Sequence, residues 1–151
     1  MHPKSPPVQD RKVRFALAGC GRIASNHIES VGRHSERAEW VAVCDTDAAA
    51  LAAAVQRTGA RGYASYTQMV AHAAADCVVL ATPSGLHPAQ AIEAAKAGRH
   101  VMTEKPMATR WADGLAMVKA CDEAGVRLFV VKQNRRNRTL QLLRQALQQG
   151  R

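Results

Sequence analysis

The sequence predicts a doubly wound α/β domain, a parallel sheet of six strands in the order 3-2-1-4-5-6 with helices on both faces. Three observations predict it. Short apolar runs rich in valine alternate along the chain with amphipathic stretches rich in alanine. The runs are apolar without interruption, as strands covered on both faces must be. Gly59, Gly98 and Gly125 each stand where a helix should stop, a few residues before the next strand.

The elements follow in order. Val13-Arg14-Phe15-Ala16-Leu17-Ala18 reads as the first strand, with a helix over 22–34. Trp40-Val41-Ala42-Val43-Cys44 is the second strand, followed by a helix over 48–57. A short third strand lies near 61–64, then a helix over 66–73. Cys77-Val78-Val79-Leu80-Ala81 is the fourth and most continuously apolar strand, with a helix over 87–97. A strand at 100–103, a helix over 112–124 and a strand at 127–131 complete the sheet.

A last helix over 139–149 places Leu140, Leu143 and Leu147 on one stripe, with Leu142 and Ala146 beside it. Such a stripe buries against something, either the edge of this sheet or a second domain. Residues 1–11, with Pro3, Pro6 and Pro7, read as a poorly ordered lead-in. Residues 12–136 form the folded domain and 137–151 a linking helix.

Composition narrows the function classes. Hydrophobic residues make up 47% of the chain and charged residues 22%, the balance of a soluble globular protein. No apolar run approaches a membrane span, and the proline-rich start is no secretory signal, so a cytoplasmic protein is expected. The formal charge of +9 is spread along the chain, with one cluster at Arg135, Arg136 and Arg138. Aromatic residues are only 4%, too few for the stacking platforms of a nucleic-acid binder. The excess charge suits either an anionic small molecule or a plainly solvated face. Cys20, Cys44, Cys77 and Cys121 form no C-x-x-C pair and read as small apolar residues, with no metal site expected.

Chemistry first appears at Gly19-Cys20-Gly21-Arg22-Ile23-Ala24, directly after the first strand and opening the first helix. This is G-x-G-x-x-A in the strand–turn–helix context that a dinucleotide site requires. Gly19 permits the tight turn, Gly21 lets backbone approach a pyrophosphate, and Ala24 keeps the helix close to the sheet. The helix N-terminus then offers N–H donors and a positive dipole end. Asp45 ends the second strand, where a carboxylate accepts from both hydroxyls of an adenosine ribose and repels a 2′-phosphate. That pattern predicts NAD rather than NADP. The alternative is that Asp45 only caps the helix beginning near Asp47.

Two further segments carry a family resemblance. Ala81-Thr82-Pro83-Ser84-Gly85-Leu86-His87 follows the fourth strand and Glu104-Lys105-Pro106-Met107-Ala108 the fifth. Together with the glycine turn and His27, they resemble the glucose–fructose oxidoreductase/inositol dehydrogenase family of NAD(P)-dependent oxidoreductases. Within it, Val131-Lys132-Gln133-Asn134-Arg135 is similar to the UDP-N-acetylglucosaminuronate 3-dehydrogenases of lipopolysaccharide O-antigen biosynthesis. Those members continue N-R-x-N-P, whereas this chain has Arg138 in the last place.

The resemblance implies roles residue by residue. Lys105 corresponds to the family's catalytic lysine, also touching cofactor and substrate, and the following peptide is often cis. A desolvated lysine suits proton removal from a hydroxyl as hydride departs. Cys20, Arg22, Ile23, Thr82, Pro83, Ser84, Glu104 and Gln133 are implied cofactor contacts. His87 is either a contact or a structural residue at a helix start, and His27 reads as packing. Asn134 and Arg135 are candidates for an anionic nucleotide-sugar substrate.

Family members are more than twice this length, so the chain is read as the cofactor half. Most sugar contacts and a homo-oligomer interface are expected in a second domain. The alternatives are a sister dehydrogenase for inositol, another sugar or a bilin-like substrate, a non-catalytic NAD-binding module, or a methyltransferase. The base in Glu104-Lys105-Pro106 argues against the last two.

Overall fold

The structure, a computed structural model, describes residues 8–150. Six strands form one parallel sheet: β1 (Val13–Ala18), β2 (Ala38–Cys44), β3 (Arg61–Tyr63), β4 (Cys77–Leu80), β5 (His100–Thr103) and β6 (Leu128–Val130). Their order is β3-β2-β1-β4-β5-β6, as expected. The helices between them are α1 (Ala24–Gly32), α2 (Ala48–Thr58), α3 (Tyr66–His72), α4 (His87–Lys96) and α5 (Trp111–Glu123), with α6 (Arg138–Gln148) at the end.

Two cores, one on each face of the sheet, explain the unbroken apolar runs. Side chains alternate across a strand, so Ala16 and Ala18 face one core and Leu17 the other. Val78 and Leu80 likewise lie opposite Val79. All are at most 2% exposed, which leaves no room for a polar residue at these six positions. Ala91, Ala94 and Ala95 of α4, each 0% exposed, let that helix lie close against β4 and β5.

Boundaries differ from expectation by two residues at β2 and α1, and by at most one elsewhere. β2 begins at Ala38, because Ala38 and Glu39 pair with Val13 and Arg14 through backbone alone. α1 begins only at Ala24, because the Ala24 N–H donates to Gly21 at 3.0 Å and closes a turn first. The Asp47 carboxylate caps α2 by accepting from the Ala49 and Ala50 N–H groups at 2.8 and 3.0 Å. Asn137 caps α6 in the same way, so Arg138 sits at the first helical position. Proline too is favoured at such a position for its backbone shape.

The last helix excludes one of the two readings left open for it. Its stripe does not bury against the sheet edge: Leu140, Leu142, Leu143 and Leu147 are 43 to 65% exposed. The main contacts of α6 go to the 3-10 turn Gln133–Arg136 just before it.

The lead-in is also tied down at its end. Residues 1–7 lie outside the described residues, but Arg11 grips Asp76 through both terminal guanidinium nitrogens, at 2.6 and 2.8 Å. Asp76 further accepts from the Arg14 N–H at 2.8 Å. The Arg11 hydrogen bond, helped by those of Arg14, holds the Asp76 carboxyl well below the usual carboxylate range. A carboxyl held below its unfolded value stabilises the fold above about pH 4 and loses that contribution as pH falls toward the folded value. Asp76→Asn should therefore cost about 1 kcal/mol at neutral pH, with solvent screening discounted. The difference between urea melts of the two proteins should narrow steadily as pH falls below about 4.

Candidate active site

The carboxyl ends of β1 and β4 lie side by side where the strand order reverses, the place where such sheets bind ligands. Gly19 leaves β1 at φ +87°, and a Cβ there would lie 2.6 to 2.7 Å from the backbone of Ala81 and Thr82. The turn thus presses directly on the end of β4. Gly21 is different, since a Cβ there would meet nothing within 4 Å. Its open side faces a cleft of about 310 Å³.

Asp45 stands on that cleft and also braces the turn. Its carboxylate accepts from the Cys20 N–H at 2.6 Å and the Asp47 N–H at 2.9 Å. Asp47 caps α2, so Asp45 is released from the capping role that the sequence left open. Lone pairs remain on each oxygen for ribose hydroxyls. The open space over Gly21, the start of α1 and the carboxylate at the end of β2 fit a dinucleotide. Asp45→Ala should lower NAD affinity about 10- to 100-fold, as for the loss of one or two hydrogen bonds to a charged group. Calorimetric titration of this chain reads that loss.

The far wall is made by Thr82 and Pro83. The Thr82 hydroxyl donates to Gln90 Oε1 at 2.5 Å, and the Tyr66 hydroxyl donates to the Gln90 carbonyl at 2.6 Å. Sequence reasoning missed Tyr66 and Gln90. Tyr66 opens α3 at the same carboxyl end of the sheet as the glycine turn, a placement that could have flagged it. Burial drives the Cys20 and Cys44 thiols up to about 11, with the Asp45 charge adding to it, so neither is a poised nucleophile.

Glu104 and Lys105 lie at the end of β5. Glu104 is 7% exposed, with one oxygen 2.9 Å from His27 Nε2 and the other accepting the Lys105 N–H at 3.2 Å. His27, expected to be packing, is therefore a polar partner. Lys105 is exposed and the Lys105–Pro106 peptide is cis. The desolvation expected for this lysine is thus not supplied by the described residues. His87 is 1% exposed, with its ring nitrogens 3.0 Å from the Pro106 carbonyl and 2.9 Å from the Thr82 carbonyl. Its ring faces these two loops rather than the cleft.

The structure gathers Gly19, Gly21, Asp45, Thr82 and Pro83 on one cleft. Cys20, Arg22, Ile23, Ser84, Glu104 and Lys105 stand in the segments around it. Gln133, Asn134 and Arg135 lie apart, exposed in the turn after β6. Asn134 and Arg135 line a separate hollow of about 430 Å³ with Gln141 and Arg144 of α6.

A family model described as an oxidoreductase family with an NAD-binding Rossmann fold matches residues 13–132. The chain belongs to this family. Among its curated relatives, D-apiose dehydrogenase of Paraburkholderia graminis is 37% identical over 93% of this chain and 37% of its own length. Inositol 2-dehydrogenase 3 of Saccharopolyspora erythraea is 36% identical over 79% of this chain and 35% of its own. Two solved structures of dehydrogenases resemble it more strongly. The WlbA dehydrogenase of Chromobacterium violaceum, in complex with NADH and UDP-GlcNAcA, is 66% identical with a TM-score of 0.93. The match covers 97% of this chain and 43% of that one. The Bordetella pertussis WlbA dehydrogenase, bound to the same two ligands, is also 66% identical, with a TM-score of 0.92 over 96% and 43%. The chain therefore spans well under half the length of these family members.

Proposed function

We propose that this chain is the cofactor-holding part of a dehydrogenase that oxidises the 3-hydroxyl of UDP-N-acetylglucosaminuronate to a ketone, in lipopolysaccharide O-antigen biosynthesis. The observation that carries the reading is 66% identity, over 97% of the chain, to a dehydrogenase in complex with NADH and UDP-GlcNAcA. Identities of 36 to 37% to the D-apiose and inositol dehydrogenases make those substrates the second reading.

Gly21 and the start of α1 would hold the pyrophosphate, Asp45 the adenosine ribose, and Thr82 and Pro83 the wall toward the nicotinamide. NAD, when bound, accepts the hydride that leaves the carbinol carbon. Lys105, in its neutral form, takes the proton from the same hydroxyl, so both atoms lost by the sugar are accounted for. The exposed amine needs covering by substrate, cofactor or further chain to work in a dry site. Asn134 and Arg135 suit the anionic parts of the sugar nucleotide.

The test uses a protein that joins this domain to the remainder found in its relatives. NADH formation should be fastest with UDP-GlcNAcA and slow with UDP-GlcNAc, myo-inositol and D-apiose. Preference for an uncharged sugar would move the assignment to the second reading.

A further inference from the structure

We infer that His27 and His87 are positioning residues for Lys105, each fixing the peptide on one side of it. The inference rests on the reading of Lys105 as the base. Among the described residues no side chain bonds the Lys105 amine, so its direction is set by where the backbone holds it. On the N-terminal side the anchor is Glu104. Its carboxylate takes the Lys105 N–H at 3.2 Å with one oxygen and meets His27 Nε2 at 2.9 Å with the other. The pair is largely shielded from water, with side chains 14 and 9% exposed. On the C-terminal side the anchor is the Pro106 carbonyl, 3.0 Å from His87 Nδ1.

The two rings come from different helices, and each helix begins at a cofactor segment. His27 is on α1, which opens at the glycine turn, and His87 starts α4, just after Thr82 and Pro83. The second nitrogen of His87 meets the Thr82 carbonyl at 2.9 Å, tying the lysine loop to the cleft wall. Neither imidazole lines the cleft. Their function is therefore geometric. Misplacing a catalytic group by about 1 Å can cost about 100-fold in rate.

The inference separates two histidine surrogates at position 27. Glutamine places an N–H donor where Nε2 lies, whereas asparagine is too short and matches only Nδ1. Amide hydrogen exchange of this chain reads the Lys105 N–H directly. His27→Asn should exchange it about tenfold faster, and His27→Gln at close to the wild-type rate. His87→Leu, which removes the ring from the Pro106 carbonyl, should lower kcat of the longer enzyme about tenfold. NAD affinity, measured by titration, should stay within about threefold in both His27 variants. In the longer enzyme, His27→Asn should lower kcat and leave KM for NAD unchanged.

Unchanged Lys105 exchange in folded His27→Asn, or equal acceleration by asparagine and glutamine, overturns the inference. Should His27→Asn fail to fold, accelerated Lys105 exchange in His27→Gln overturns it alone. The exchange readout does not involve turnover. An active Lys105→Met enzyme would therefore sink the base reading while leaving the anchoring result to be judged separately.

Discussion

Alanine at position 19 is expected to destabilise the domain by about 3 kcal/mol or more, while alanine at position 21 should leave stability near wild type. The added Cβ at Gly19 would lie 2.6 Å from the Ala81 carbonyl carbon, in backbone that cannot yield as a side chain does. The left-handed φ of +87° costs an L residue a further 1–2 kcal/mol or so. With overpacking at about 1–3 kcal/mol, the sum is a large share of a typical domain's stability. At Gly21 a Cβ meets no protein atom within 4 Å and intrudes only on the space for a ligand. Gly21→Ala should thus fold normally and lose NAD affinity by about tenfold or more. Urea melts and NAD titrations of both variants check the separation. A Gly19→Ala protein that melts and binds as wild type would remove the reason given for this turn.

Lys105→Met is expected to lower kcat by about 100- to 10,000-fold in the longer enzyme, the range for loss of a general base. The side chain is exposed and outside the cleft lining, so melting and NAD affinity should barely change. The informative pattern is therefore loss of turnover with cofactor binding intact. Equal losses in both would instead place the lysine on the cofactor.

The sheet was legible because burial on both faces leaves an unmistakable trace. Val78-Val79-Leu80 has no polar place on either side, and the glycines mark the helix ends. The glycine turn and Asp45 were legible because each sits next to a strand end whose position the pattern already gives. What escaped depends on contacts between distant residues. Arg11 and Asp76 meet across 65 positions, and His27 and Glu104 across 77. No local periodicity reports such pairs. Ala38 and Glu39 escaped because ladder bonds use backbone and ignore side-chain polarity. Lys105 was expected to be desolvated because of its chemistry, yet a loop at a sheet end stays open until something covers it. His87 was left between two roles, since the sequence places it beside the cleft but cannot show which way the ring turns.

Calorimetric titration with NAD and NADP, on wild type and Asp45→Ala, tests whether Asp45 and the glycine turn make this chain an NAD site. The wild-type chain should bind NAD and discriminate strongly against NADP. The substitution should weaken NAD about 10- to 100-fold and narrow the gap between the two cofactors. Equal wild-type affinity for NAD and NADP, or NAD binding untouched by Asp45→Ala, would contradict that reading.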